Sequence, residues 1–165
     1  MIVDAAIARC GRIDALVNNA GVGSPEPLDE TDDPTLDSFL DIMLVAPFRL
    51  CRDVIPHLKD SARVVNVTST FAHIGGWRGG CYSAAKGGLK SLTEHMACEY
   101  GPGGIRSNCV APGVTMTDMV AHRFEDGPSP DRARKHRCGG HRARREAVSY
   151  RRKLFNTCTI ARHRW

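Results

Sequence analysis

No apolar run in this sequence approaches the roughly 20 residues that a membrane-spanning helix needs, and the N-terminus lacks the layout of a secretory signal. A cytoplasmic location without membrane attachment is therefore expected. There is no C-x-x-C pair either. The seven cysteines (Cys10, Cys51, Cys81, Cys98, Cys109, Cys138 and Cys158) are scattered and odd in number. That pattern speaks against a zinc site or a disulfide framework, and for buried or idle thiols in a reducing compartment. The 165 residues allow one domain with a real core, not two of ordinary size.

What is present divides into two regimes. The formal net charge of +5 suggests a basic protein, but residues 1–121 hold 10 Lys and Arg against 14 Asp and Glu, a net of −4. Residues 122–165 hold 13 against 4, a net of +9, with 11 arginines and four histidines. The basicity belongs to the tail, and the two regions need separate explanations.

Residues 1–121 alternate helical and extended patterns. The run "IVDAAIARCG" (2–11) has helical apolar spacing and ends at Gly11, a plausible C-cap. "IDALVNNAG" (13–21) reads as a strand closed by a tight turn. After a Pro- and acid-rich loop, Pro34 suits a first helical turn. Leu36, Phe39, Leu40, Met43, Leu44, Pro47 and Leu50 then form a long stripe, with a kink expected at Pro47. "ARVVNVTST" (62–70) is a buried strand, residues 81–100 a second long helix, and "GIRSNCVAPG" (104–113) a third strand. Strands alternating with helices predict right-handed parallel crossovers in an open α/β sheet. After Thr117 the periodicity stops, so residues 122–165 are expected to be irregular.

Within "CYSAAKGG" (81–88), Tyr82 and Lys86 lie at i and i+4, one turn apart on the same helix face. An ammonium held there favours the phenolate, so that tyrosine could exchange a proton with a carbonyl or alcohol oxygen. Ser69 ends a predicted strand 13 residues earlier, at the C-terminal end where open α/β sheets place ligands. Taken alone, the pair could equally be a surface contact, and Asn18 and Asn19 ordinary turn residues.

Four blocks in order resemble the short-chain dehydrogenases/reductases: "NNAG" (18–21), "NVTS" (66–69), "YSAAK" (82–86) and "GIRSNCVAPGVTMT" (104–117). The resemblance covers roughly residues 2–119. It implies a partial Rossmann-type, doubly wound parallel sheet in a three-layer α/β/α arrangement whose N-terminal strands are missing. It implies hydride transfer between NAD or NADP and a ketone or secondary alcohol, nearest in general likeness to 3-oxoacyl-carrier-protein reductases. Ser69, Tyr82 and Lys86 would then be catalytic, with Ser69 orienting the substrate oxygen and Lys86 also holding the nicotinamide ribose. Asn18, Ala20, Gly21, Tyr82, Lys86, Pro112, Gly113, Thr115 and Thr117 would line the cofactor. Homo-oligomers through helices 34–58 and 81–100 are the family's habit, and the small residues Ala84, Ala85 and Gly88 would suit close packing there.

Three departures accompany the likeness. No T-G-x-x-x-G-x-G turn precedes residue 11. In "MLVAPF", Met43 stands where the family carries an asparagine that holds a water beside the lysine, and a thioether is at best a weak acceptor. The tail resembles an out-of-frame reading more than the family's closing unit. The expected organisation is therefore a C-terminal-half Rossmann-type region (1–121) and a basic tail (122–165). Two other functions stay open: a truncated, inactive fragment of such an enzyme, and nucleic-acid binding through the tail, which its scarcity of lysine disfavours.

Overall fold

The computed structural model describes residues 2–23, 26–76, 78–113 and 159–161. Helix α1 (Ile2–Cys10) ends at Gly11, which takes the left-handed φ of 74° expected of a glycine C-cap and donates its N–H to Ile7 O. Strand β1 (Ile13–Asn18) follows. The predicted long helix is found as α2 (Asp33–Leu40), a π-helical turn (Asp41–Val45), α3 (Ala46–Val54) and a 3-10 turn (Ile55–His57). Asp32 caps α2 by accepting from Thr35 N at 2.9 Å.

The expected disturbance at Pro47 has a definite form. Proline has no N–H to return to Met43 O, so a regular α ladder cannot continue through it. The helix widens just before it, and Ala46 N–H donates to Asp41 O, five residues back. Met43 lies inside that widened turn.

Strand β2 (Leu58–Val67), helix α4 (Gly80–Tyr100) and strand β3 (Arg106–Pro112) complete the predicted alternation. The sheet order is β1-β2-β3-β4 and every pairing is parallel. The structure corrects the sequence reading at two strand limits. β2 begins at Leu58, before the expected Ala62, with a register jump opposite Ile13 to Ala15. The tail is not wholly irregular, since β4 (Thr159–Ala161) pairs with Val110–Pro112. A three-residue strand bears too little pattern to be read from sequence. The rest of residues 122–165 lies outside the described residues.

Side chains alternate over residues 62–67 of β2 and along β3. Val64, Asn66, Ser107, Cys109 and Ala111 are buried, while Arg63, Arg106 and Val110 face outward. The buried face receives α3 and α4, and Cys51, Val64, Met96 and Ile105 form one core cluster with Leu16, Leu92 and Tyr100 packed around it. A second cluster of Phe39, Met43, Cys81 and Ala85 joins the π-helical turn to α4. On the other face, Val17 is 59% exposed. Among the described residues, β1 has β2 as its only neighbour in the sheet, which leaves its outer edge unpaired there. The α/β, Rossmann-type character is as expected, and the described residues form a partial version of it.

One further expectation needs correcting. Ala85 is fully buried against Met43, and a β-carbon on Gly88 would lie 2.8 Å from Leu44. These small residues pack inside the chain, because the widened turn comes close to α4, and of the three only Ala84 is exposed. Among the described cysteines, Cys10, Cys51, Cys81 and Cys98 are free.

Candidate active site

The site forms where the C-terminal end of β2 meets the first turns of α4. β2 stops at Val67, and Ser69, two residues on, is in extended conformation. Thr68 is committed to the neighbouring strand: its N–H and its hydroxyl both donate to Val110 O, at 2.8 and 3.0 Å. Ser69 is buried and caps the 3-10 turn Thr70–Ala72, its Oγ accepting from Phe71 N at 3.2 Å. A hydroxyl has one donor and two acceptor sites. The Phe71 N–H engages one of its acceptor sites and leaves the O–H out of that contact.

Phe71 links the two halves of the site. Its ring meets the Tyr82 ring edge-to-face, with centroids 6.1 Å apart and an interplanar angle of 90°. Behind it, a β-carbon on Gly76 would fall 2.4 Å from Phe71 Cε2, so only a glycine lets the loop pass the ring in this position. Phe71 and Gly76 were not singled out in the sequence. The one available signal was the glycine-rich loop before α4.

Lys86 is 3% exposed, and its Nζ donates to Val67 O at 2.7 Å. The same nitrogen lies 5.8 Å from the centroid of the Tyr82 ring. Burial pulls its pKa down to about 8, since a low-dielectric setting disfavours the charged form. On the opposite wall, a β-carbon added to Gly21 would lie 3.5 Å from Met43 Sδ and 3.6 Å from Lys86 Nζ. Gly21, Met43 and Lys86 therefore converge from three different elements.

The other expected positions are distributed as follows. Asn18 turns its side chain inward, where Nδ2 donates to Asn66 Oδ1 at 2.8 Å and approaches Cys51 Sγ at 3.5 Å. Asn66 in turn donates to Thr93 Oγ1 at 2.9 Å, and Thr93 to Leu89 O. This buried chain ties β1, β2 and α4 together directly beneath the site. Its signal in the sequence was an asparagine interrupting the apolar run "RVVNV". The side-chain amide N–H of Asn18 is thereby engaged within the core. Ala20 is exposed on the loop after β1, Pro112 ends β3 beside β4, and Gly113 is exposed with nothing within 4 Å of an added β-carbon. Thr115 and Thr117 lie outside the described residues.

A buried lysine anchored at a strand end, a tyrosine one helical turn before it and a serine at the same strand end form a recognisable corner. The model of the short chain dehydrogenase family matches residues 1–128. The chain belongs to the short-chain dehydrogenase family. Dehydrogenase OXI1 of Cochliobolus heterostrophus is 40% identical over 119 residues, which make up 72% of this chain and 51% of that protein. Among solved structures, a short-chain dehydrogenase/reductase of the glucose/ribitol dehydrogenase kind from Brucella melitensis superposes with a TM-score of 0.72 at 32% identity. It covers 75% of this chain and 50% of its own. The 3-ketoacyl-(acyl-carrier-protein) reductase of the same organism, solved with NADH, gives a TM-score of 0.69 at 29% identity over 72% of this chain and 52% of its own. As a short-chain dehydrogenase, the chain spans about half the length of the relatives it matches.

Proposed function

We propose that the chain carries the acid–base half of an NAD(P)-dependent oxidoreductase acting on a ketone or secondary alcohol. The observation that carries this reading is the placement of Lys86: buried, 2.7 Å from Val67 O, and beside the Tyr82 ring. Tyr82 gives its proton to a carbonyl oxygen, or takes one from an alcohol, and Lys86 stabilises the phenolate form electrostatically. Ser69 donates its O–H to the same substrate oxygen and fixes its position.

The residues present suit a nicotinamide nucleotide. The cradle at Gly21 has no β-carbon facing Lys86, and one of the three ammonium donors is engaged by Val67 O, which leaves donors for ribose hydroxyls. When bound, the nucleotide would supply or accept the hydride. Lys86, the Gly21 backbone and the loop after Pro112 and Gly113 would hold it, with Thr115 and Thr117 as further contacts. The reading extends to assembly with copies of this chain through the outer faces of its long helices, where Phe48 on α3 and Ala84 on α4 are exposed.

The test is turnover of NADH or NADPH with a panel of ketones by the purified chain and its Tyr82→Phe variant. Loss of a tyrosine acid is expected to lower kcat by about a hundredfold or more with an unchanged circular dichroism spectrum. Turnover equal to the parent's would overturn the mechanism. A second reading is favoured by the outer edge of β1, unpaired among the described residues: a chain that holds the acid–base corner but binds no nucleotide by itself. Micromolar NADH binding in a fluorescence titration would exclude it.

A further inference from the structure

We propose that Met43 is a positioning residue for Lys86: its thioether closes the wall at Gly21 and keeps water away from the ammonium. This rests on the proposed function only for its catalytic consequence. The geometry stands without it. Met43 is fully buried and sits in the π-helical turn, the widest point of the helical run. Its Sδ and Lys86 Nζ approach the same point beside Gly21, within 3.5 and 3.6 Å of it. Met43 also packs in one cluster with Ala85, the residue before Lys86, and with Tyr82.

A thioether offers no donor and only a weak acceptor, so it can neither hydrate the ammonium nor hold a water for it. Among the described residues, the groups that meet Lys86 are otherwise uncharged. Val67 contributes a carbonyl, Gly21 bare backbone, and Tyr82 on the same helix a ring. The acid on the Met43 turn, Asp41, is exposed to solvent. Burial lowers the pKa of Lys86 to about 8. A dry wall is what such a site requires, and Met43 supplies that wall on the helix α2–α3 side. The ammonium is thereby left with Val67 O as its fixed acceptor, which aims it at the Tyr82 ring.

The consequence for the chemistry is a pH limit. Below about 8 Lys86 is an ammonium, and above it the charge is lost. An enzyme that needs that charge loses activity by roughly tenfold per pH unit above this point. An alkaline limit near 8 would set this chain apart from one with a hydrated lysine.

The test reads Lys86 directly and needs neither nucleotide nor substrate. The full chain is labelled with [ε-13C]lysine, the Lys86 resonance is assigned with Lys86→Arg, and pH is titrated by NMR. The parent and Met43→Leu are expected to show the same midpoint, near 8. Met43→Gln, almost the same size but able to hydrogen-bond a water, is expected to raise it by about one pH unit or more. Equal midpoints in Met43→Gln and Met43→Leu would overturn the proposal. If Met43→Gln fails to fold by circular dichroism, an ordinary lysine midpoint in the parent, or one shifted in Met43→Leu, overturns it, and a matching midpoint near 8 in both supports it. Absent turnover with the expected titration would refute the enzymatic reading alone.

Discussion

The two faces of the parallel sheet are built differently although they share the same strands. One face is sealed by α3 and α4, and carries a core cluster, a chain of buried amides and hydroxyls, and the corner that holds Lys86. The other shows Val17 at 59% exposure and Val110 at 36%. Strand alternation sends successive residues to opposite faces, so the contrast reflects what covers each face and not which residues the strands contain. The proposed site lies on the sealed side, where the Lys86 ammonium is buried and anchored to Val67 O.

This contrast predicts its largest effect in stability. Leu89, 1% exposed on the sheet-facing side of α4, should cost about 2–5 kcal/mol when changed to alanine. Val17→Ala on the open face should cost less than about 0.5 kcal/mol. Urea denaturation of both variants measures the difference. A large cost at Val17 would mean that another molecule covers the open face in solution.

A smaller effect is expected where the sealed side meets the loop before α4. Gly76→Ala would put a β-carbon 2.4 Å from the Phe71 ring, which cannot yield without leaving its edge-to-face contact with Tyr82. Overpacking of this kind costs roughly 1–3 kcal/mol. Gly113→Ala, with nothing within 4 Å, is the control. The paired melting temperatures, together with the Tyr82 ring resonances, check both halves. Unchanged Tyr82 resonances in a destabilised Gly76→Ala would show that Phe71 does not hold the tyrosine.

Much of this was legible in the sequence because it follows from local rules. Helix α4 was read at 81–100 and found at Gly80–Tyr100, since its apolar stripe and the preceding glycines are both local signals. The pairing of Tyr82 with Lys86 follows from the helical repeat. What was not legible depends on partners distant in sequence. Asn18 reads as a turn residue, and only the fold shows its amide bridging to Asn66 and Cys51. Pro47 announced a disturbance, but not that the helix would widen before it and carry Met43 to the lysine. Ala85 and Gly88 read as a face for a second copy, and the packing of Leu44 and Met43 shows them occupied from within. Small residues announce close approach without saying by what.

The finest test of the sealed side uses its cysteines as probes. Cys51 faces the sheet from α3, where burial raises its pKa to about 11 and the Asn18 amide only partly offsets this. Cys10 and Cys98 are exposed. A thiol reacts as its thiolate. At pH 8, with a pKa near 11, roughly one Cys51 in a thousand would be ionised, and burial restricts access further. Iodoacetamide should therefore modify Cys10 and Cys98 first, with Cys51 at least about a hundredfold slower, as followed by peptide mass spectrometry. The offset from Asn18 has its own sign: Asn18→Ala removes a donor to sulfur, which disfavours the thiolate, but opens the seam between β1 and α3. Faster labelling of Cys51 in that variant would show that access controls its reactivity. Slower labelling would show that the amide's electrostatic support matters more, and that the buried chain beneath Lys86 stays closed even when one of its links is removed.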